Sequence, residues 1–158
     1  MELDLKFVNP VVKTLMSVFT TMIQLEPVAG DMRVKSDDIA SGDVTGILKM
    51  DGDTAKGSVS ISFTKPVVID LVKRMLHMDI QEIDEIARDL AGEMANIVVG
   101  GAKNLLEEQG YKIDMSLPEV FEGEGHQIKH YFDGETVEIP FKLDSGDFYI
   151  EVNFVEPV

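Results

Sequence analysis

The chain contains no cysteine. That excludes disulfides, thiol nucleophiles and cysteine-based zinc sites. Basic residues are scarce as well: 14 Lys and Arg stand against 29 Asp and Glu, for a formal charge of -15. Such a surface repels phosphate backbones and anionic membranes, which argues against nucleic-acid or lipid binding. It suits a partner with a basic face. No hydrophobic run is long enough to span a bilayer. The opening MELDLKFVNPVV lacks the basic and then apolar regions of a signal peptide. Low-complexity runs and proline-rich linkers are missing too. The expectation is a cytoplasmic protein.

What is present is ordinary globular material, 44% hydrophobic and 27% charged over 158 residues. That length fits a single domain over residues 1–158 and buries a core without covalent staples. In the first segment Phe7, Val11, Leu15, Val18 and Met22 recur at helical spacing, and Met16, Phe19 and Ile23 widen the stripe. Asn9 before Pro10 predicts an N-cap and a helix starting near Pro10 and ending before Pro27. A short strand is predicted near residues 32–35. Residues 44–50 and 57–63 then form a hairpin across the turn DGDTAK. Val59, Ile61 and Phe63 alternate there with Ser58, Ser60 and Ser62, predicting one buried and one wet face. Thr64 and Pro66 open a helix that runs to Met75. After residue 110 the chain turns strand-like at 111–115, 127–131, 136–142 and 148–154. The order gives an α+β fold: a mostly antiparallel sheet with long helices packed on one face.

The most regular stretch is residues 79–110, DIQEIDEIARDLAGEMANIVVGGAKNLLEEQG. Asp79 as N-cap, Glu82 as its capping-box partner and Gly110 as the stop predict a long helix. Ile83, Ile86, Leu90, Met94, Ile97, Gly101 and Leu105 follow one stripe. Ala87, Ala91, Ala95, Val98 and Ala102 follow a neighbouring one. Asp89, Glu93, Asn96 and Gly100, spaced four, three and four apart, share a third face. Glu93 and Asn96 lie one turn apart, with roughly 5–6 Å between their Cβ atoms. Spacing alone reads this pair as a solvated helix face. Gly100 and Gly101 in mid-helix each cost about 1 kcal/mol relative to alanine, so a close approach is expected beside them.

Other constellations are weaker. Asp51-Gly52-Asp53 begins like a calcium loop, but Ala55 and Ser62 stand where ligands are needed. His126 and His130 read as strand residues roughly 13 Å apart, too far for a shared metal. The nine methionines read mainly as core filling, with Met94 inside the polar stretch as the exception.

The string Asp89-x-x-x-Glu93-x-x-Asn96, followed later by Pro118, resembles the signature of the CheC/CheX/FliY family of chemotaxis phosphatases. The flanking AGEMANIVVGGAKNLL, the opening FVNPVVKTLMSVFTTM, Gly57-Ser58-Val59 and Gly125-His126-Gln127-Ile128 resemble the CheX branch in the same order. CheC carries two E-x-x-N sites, whereas this chain has one, EMAN, and it has no room for the switch domain of FliY.

The resemblance implies a CheC-like fold and hydrolysis of the phosphoaspartate on a CheY-type response regulator. It implies Asn96 aiming the attacking water and Glu93 pairing with the regulator's active-site lysine. Asp89 and Gly100 are implied as partner-binding positions. No cofactor is expected on this chain, since the Mg2+ belongs to the regulator. A homodimer in which edge strands join or exchange is implied as well. The alternative is a non-catalytic module that docks to a receiver domain and alters its signalling.

Overall fold

The computed structural model describes residues 5–53 and 55–155. Its helices are α1 (Leu5–Val18), α2 (Lys65–Leu76) and α3 (Glu85–Glu108). Its strands are β1 (Val28–Ala29), β2 (Arg33–Lys35), β3 (Val44–Gly52), β4 (Lys56–Phe63), β5 (Ile113–Met115), β6 (Glu119–Glu122), β7 (Thr136–Leu143) and β8 (Gly146–Val155). One antiparallel sheet runs β1-β7-β8-β4-β3-β5, with β2 also on β7 and β6 also on β3. The helices cover one face of it, as the α+β reading expects.

Helix α1 starts earlier than Asn9-Pro10 predicts. Pro10 lies inside it, and Asn9 is a helical residue and not a cap. The missing N–H of Pro10 forfeits only one early-turn bond. Burial of Phe7 and Val8 outweighs that loss. Phe7 also lies against Tyr111 and Phe154, with ring centroids 5.4 and 4.8 Å away. After Val18 the chain widens into a π-helical turn, Phe19–Ile23. The wider turn shifts the apolar phase. Phe19 and Ile23 are therefore buried, while Met22, expected on the stripe, is 52% exposed.

The hairpin of β3 and β4 forms as predicted, pairing Val44 with Phe63 through Asp51 with Lys56. Thr54, in its turn, lies outside the described residues. Thr64 flanks α2 as expected, yet its hydroxyl bonds the Asp147 carbonyl at 2.6 Å. Asp43 supplies the cap instead, its Oδ2 accepting from the Lys65 N–H at 2.7 Å. The helix-side core includes Phe19, Phe141 and Phe148, stacked with Phe148 between the other two at 4.9 and 5.1 Å.

The other face of the sheet corrects two expectations. Ser58, Ser60 and Ser62 face away from the helices but are fully buried, so the predicted wet face is polar and dry. Residues 127–131 are not a strand: their only ladder contact is an isolated bridge from Gln127 to Ile39. The segment crosses over the serines, because its side chains find sheet hydroxyls to bond. His126 Nε2 lies 2.7 Å from Thr45 Oγ1, and His130 Nδ1 lies 2.6 Å from Ser58 Oγ. Ile128 tucks in with Ile47 and Ala40.

Beside this cover, Arg33 and Lys35 of β2 reach the buried carboxylate of Glu138, and Lys35 Nζ also lies 2.7 Å from Glu151. The sequence analysis did not pick out this ionic group. Its signal was a single carboxylate inside each of two apolar strand runs, Val137-Glu138-Ile139 and Ile150-Glu151-Val152.

Candidate active site

Helix α3 is anchored before it is decorated. It begins five residues later than predicted: Asp84, not Asp79, is the N-cap, its Oδ1 accepting from the Ala87 N–H at 3.1 Å. Glu82, expected in a capping box, instead accepts from Lys65 Nζ at 2.6 Å. Ile80 is drawn into the core, and His77 takes a left-handed conformation at φ 56°, so 77–84 is a connector and not a first turn. The far end follows the expectation, with Gly110 at φ 100° just beyond Gln109.

Ala87, Ala91, Ala95, Val98 and Ala102 form the middle of the buried face, bordered by Leu90 and Met94. Ile83, Ile86, Ile97 and Leu105 are only half-buried. The small residues let α3 sit directly on β3. A Cβ at Gly46 would stand 2.6 Å from the Ala91 carbonyl oxygen and 3.0 Å from the Ala95 Cβ. Met94 is fully buried and belongs to the core, not to the surface pair beside it.

On the opposite side Asp89, Glu93, Asn96 and Gly100 fall within about 60° of helix arc. Asp89 and Glu93 are exposed, and Asn96 and Gly100 are half-buried. Among the described residues neither the Glu93 nor the Asn96 side chain has a hydrogen-bond or ion-pair partner. One carboxylate and one neutral amide thus stand side by side, unengaged, on a rail fixed from below. The nearest ion pair on this helix, Arg88 with Glu122 at 2.7 Å, ties α3 to β6.

The two glycines have different roles. A Cβ at Gly101 would overlap Thr14 of α1, so this glycine lets two helices touch. A Cβ at Gly100 would meet nothing within 4 Å. Pro118, distant in sequence, comes to the helix at Gly92, where an added Cβ would be 3.1 Å from Val120 Cγ2 and 3.8 Å from Pro118 Cγ. The fold therefore sets Asp89, Glu93, Asn96 and Gly100 on one helix face and brings Pro118 to its flank at Gly92.

His126 and His130 lie away from this face, committed to the sheet hydroxyls. Among the described residues no group of three His, Asp or Glu side chains is placed to hold a metal ion. No helix among them is long and apolar enough to cross a membrane.

Comparison with known proteins agrees with this arrangement. The sequence profile of the family described as Chemotaxis phosphatase CheX matches residues 44–142. The crystal structure of chemotaxis protein CheX from Vibrio vulnificus is 39% identical, with a TM-score of 0.87, covering 95% of this chain and 99% of that one. The CheY-P phosphatase CheX of Thermotoga maritima is 24% identical over 146 residues, 92% of each chain. A CheX crystallised with CheY, BeF3 and Mg2+ from Borrelia burgdorferi is 20% identical, covers 95% of this chain and 98% of that one, and shares the fold with a TM-score of 0.80. With the profile spanning β3 to β6, α2, α3, the Pro118 loop and most of β7, more than half of the chain, this chain belongs to the CheX family of chemotaxis phosphatases.

Proposed function

We propose that this chain, as a single cytoplasmic phosphatase domain, removes the phosphoryl group from the phosphoaspartate of a CheY-type response regulator. The observation that carries the reading is the unengaged Glu93 and Asn96 pair on a helix held rigidly by its buried face. Support comes from the relatives: one is a CheY-P phosphatase, and another was crystallised with CheY, BeF3 and Mg2+.

The chemistry follows from the two side chains. Water attacks the phosphorus in line with the departing aspartyl oxygen, through a loose transition state. Such a step depends on positioning more than on a strong base. Asn96 is neutral and approaches the anionic phosphoryl group without Coulomb repulsion. Its Oδ1 accepts a hydrogen bond from the water and aims the water's lone pair. Glu93, charged and more exposed, pairs with the regulator's active-site lysine and sets the register of the two proteins. Asp89 and the bare surface at Gly100 widen the contact. The Mg2+ belongs to the regulator and neutralises phosphoryl charge there.

Following phosphate loss from a phosphorylated regulator tests the assignment. Asn96→Ala should lower kcat about a hundredfold, the scale set by losing reactant alignment. Glu93→Ala should raise the regulator concentration needed for half-maximal rate as well. Unchanged stimulation by both variants would overturn the site. Binding by the native chain with no shortening of the phosphorylated half-life would favour a non-catalytic docking module.

We also propose that two copies pair through the β1–β2 edge. Val28 and Val34 on those strands are 68% and 51% exposed, and Ile39 just beyond them is 51% exposed.

A further inference from the structure

Leu117 is 86% exposed, more than any other large hydrophobic residue among those described. A single exposed leucine on a mobile loop would need no explanation. This one is held on both sides. Ser116 is tied twice to β3: its N–H donates to the Lys49 carbonyl at 2.9 Å, and its Oγ accepts from the Lys49 N–H at 2.9 Å. Pro118 fixes its own φ and rests beside Gly92.

The segment also has a defined course along α3. Met115 and Ser116 share a surface cleft with Lys103 and Glu107. Pro118, further on, reaches the helix at Gly92. The segment therefore meets α3 at Gly92, the residue before Glu93 and one turn before Asn96. Gly92, Asn96 and Lys103 lie within about 40° of one another around the helix. Leu117 therefore sits between Ser116, tied to β3, and Pro118, which meets α3 at Gly92 about one turn from the amide proposed to aim the water.

We propose that Leu117 is a docking residue for the phosphorylated receiver domain: a fixed apolar knob that seats against an apolar patch bordering the phosphoaspartate. The proposal rests on the reading of Glu93 and Asn96 above. An apolar contact adds what the charges around it lack. Glu93 and Asp89 attract a basic neighbour but are screened by salt. A buried leucine holds the two proteins together without regard to ionic strength and is sensitive to the shape of the regulator. Pre-ordering by Ser116 and Pro118 means that little freedom is lost when the knob is covered.

Leu117→Ser and the conservative Leu117→Met test this in the full chain, with a phosphorylated CheY-type regulator as the probe. Because the side chain touches solvent, the thermal midpoint should not move. Leu117→Ser should raise KM about tenfold, the scale of an unburied leucine, with kcat unchanged. Leu117→Met should restore KM. The same substitution is made in an Asn96→Ala background, where regulator binding is measured directly. Weaker binding there would support the knob even if the native chain proved catalytically silent, in which case only the phosphatase reading fails. Unchanged KM and unchanged binding in Leu117→Ser would overturn the knob while leaving the phosphatase reading intact. A regulator that neither binds nor is turned over would overturn both.

Discussion

Gly100 and Gly101 are adjacent in sequence and opposite in their surroundings. Alanine at 101 would press its Cβ into Thr14, forcing α1 and α3 apart, a fault that typically costs about 1–3 kcal/mol. Alanine at 100 meets open space and should gain about 1 kcal/mol from helix propensity alone. Thermal unfolding of Gly100→Ala and Gly101→Ala should therefore move in opposite directions. Nothing within 4 Å of that position calls for a glycine, and the proposed regulator contact supplies the reason the fold itself lacks. The sequence exposed the expense of both glycines and predicted a close approach, but periodicity cannot distinguish which one faces α1. That Glu93 and Asn96 share one helix face was legible, because a helix carries three- and four-residue spacings directly into space. Leu117 was not, since its significance lies in Ser116 and Pro118 pinning it to β3 and α3, two elements remote in sequence.

At the level of elements, the ionic group of Arg33, Lys35, Glu138 and Glu151 beside the cover behaves as one electrostatic unit. Burial pushes the Glu138 carboxyl upward, but hydrogen bonds from Arg33 and Ser41 and the charge of Lys35 prevail and hold it below the ordinary range. Burial likewise opposes the charge on Lys35, yet Glu151 and Glu138 leave its ammonium above the ordinary value. A lowered carboxylate stabilises the fold above its unfolded pKa and loses that contribution as pH falls through the folded value. A raised lysine stabilises below its unfolded pKa and loses it as pH rises through the folded value. The unit therefore stabilises the fold across the neutral range and fails at both extremes. Glu138→Gln should cost about 1–3 kcal/mol at neutral pH, less than the removal of one partner from a wholly enclosed pair, because Arg33 is largely exposed. Its urea midpoint should also fall less than that of the native chain on acidification toward pH 3. Reading this region from sequence failed in a specific way. Alternating serines look like a solvent face, and nothing local to them reports that residues 123–135 fold over the top. The same cover, bonded through His126, His130 and Ile128, imitates a strand in composition without joining a ladder. Helix α3 was legible at its Gly110 end but not at its start, where Asp79 and Asp84 offer equivalent side chains and the burial of Ile80 decides between them.

At the scale of the molecule, each margin of the sheet is built from two short strands along one long one, β1 and β2 on β7, β5 and β6 on β3. Short edges ordinarily discourage pairing. The β1–β2 margin nevertheless carries the exposed Val28 and Val34, so the proposed homodimer should show twice the monomer mass in light scattering. Val28→Lys with Val34→Lys should return it to monomer with the sheet intact; a monomeric native protein would refute the pairing. Fold class was legible because helix-period and strand-period segments separate cleanly along the chain. Strand order was not, since nothing in the pattern of β8 marks it as an inner strand. Yet β8, the final strand in chain order, is hydrogen-bonded on both sides, between β7 and β4. This has a consequence for biosynthesis. While the ribosome still holds residues 146–155, β4 lacks one neighbour and Phe19 has no Phe148 to stack upon. Helix α3 can coil early, but the sheet beneath it closes only after translation of that last hairpin. The nascent chain spends the interval with β4 unpaired on one side and an incomplete aromatic stack.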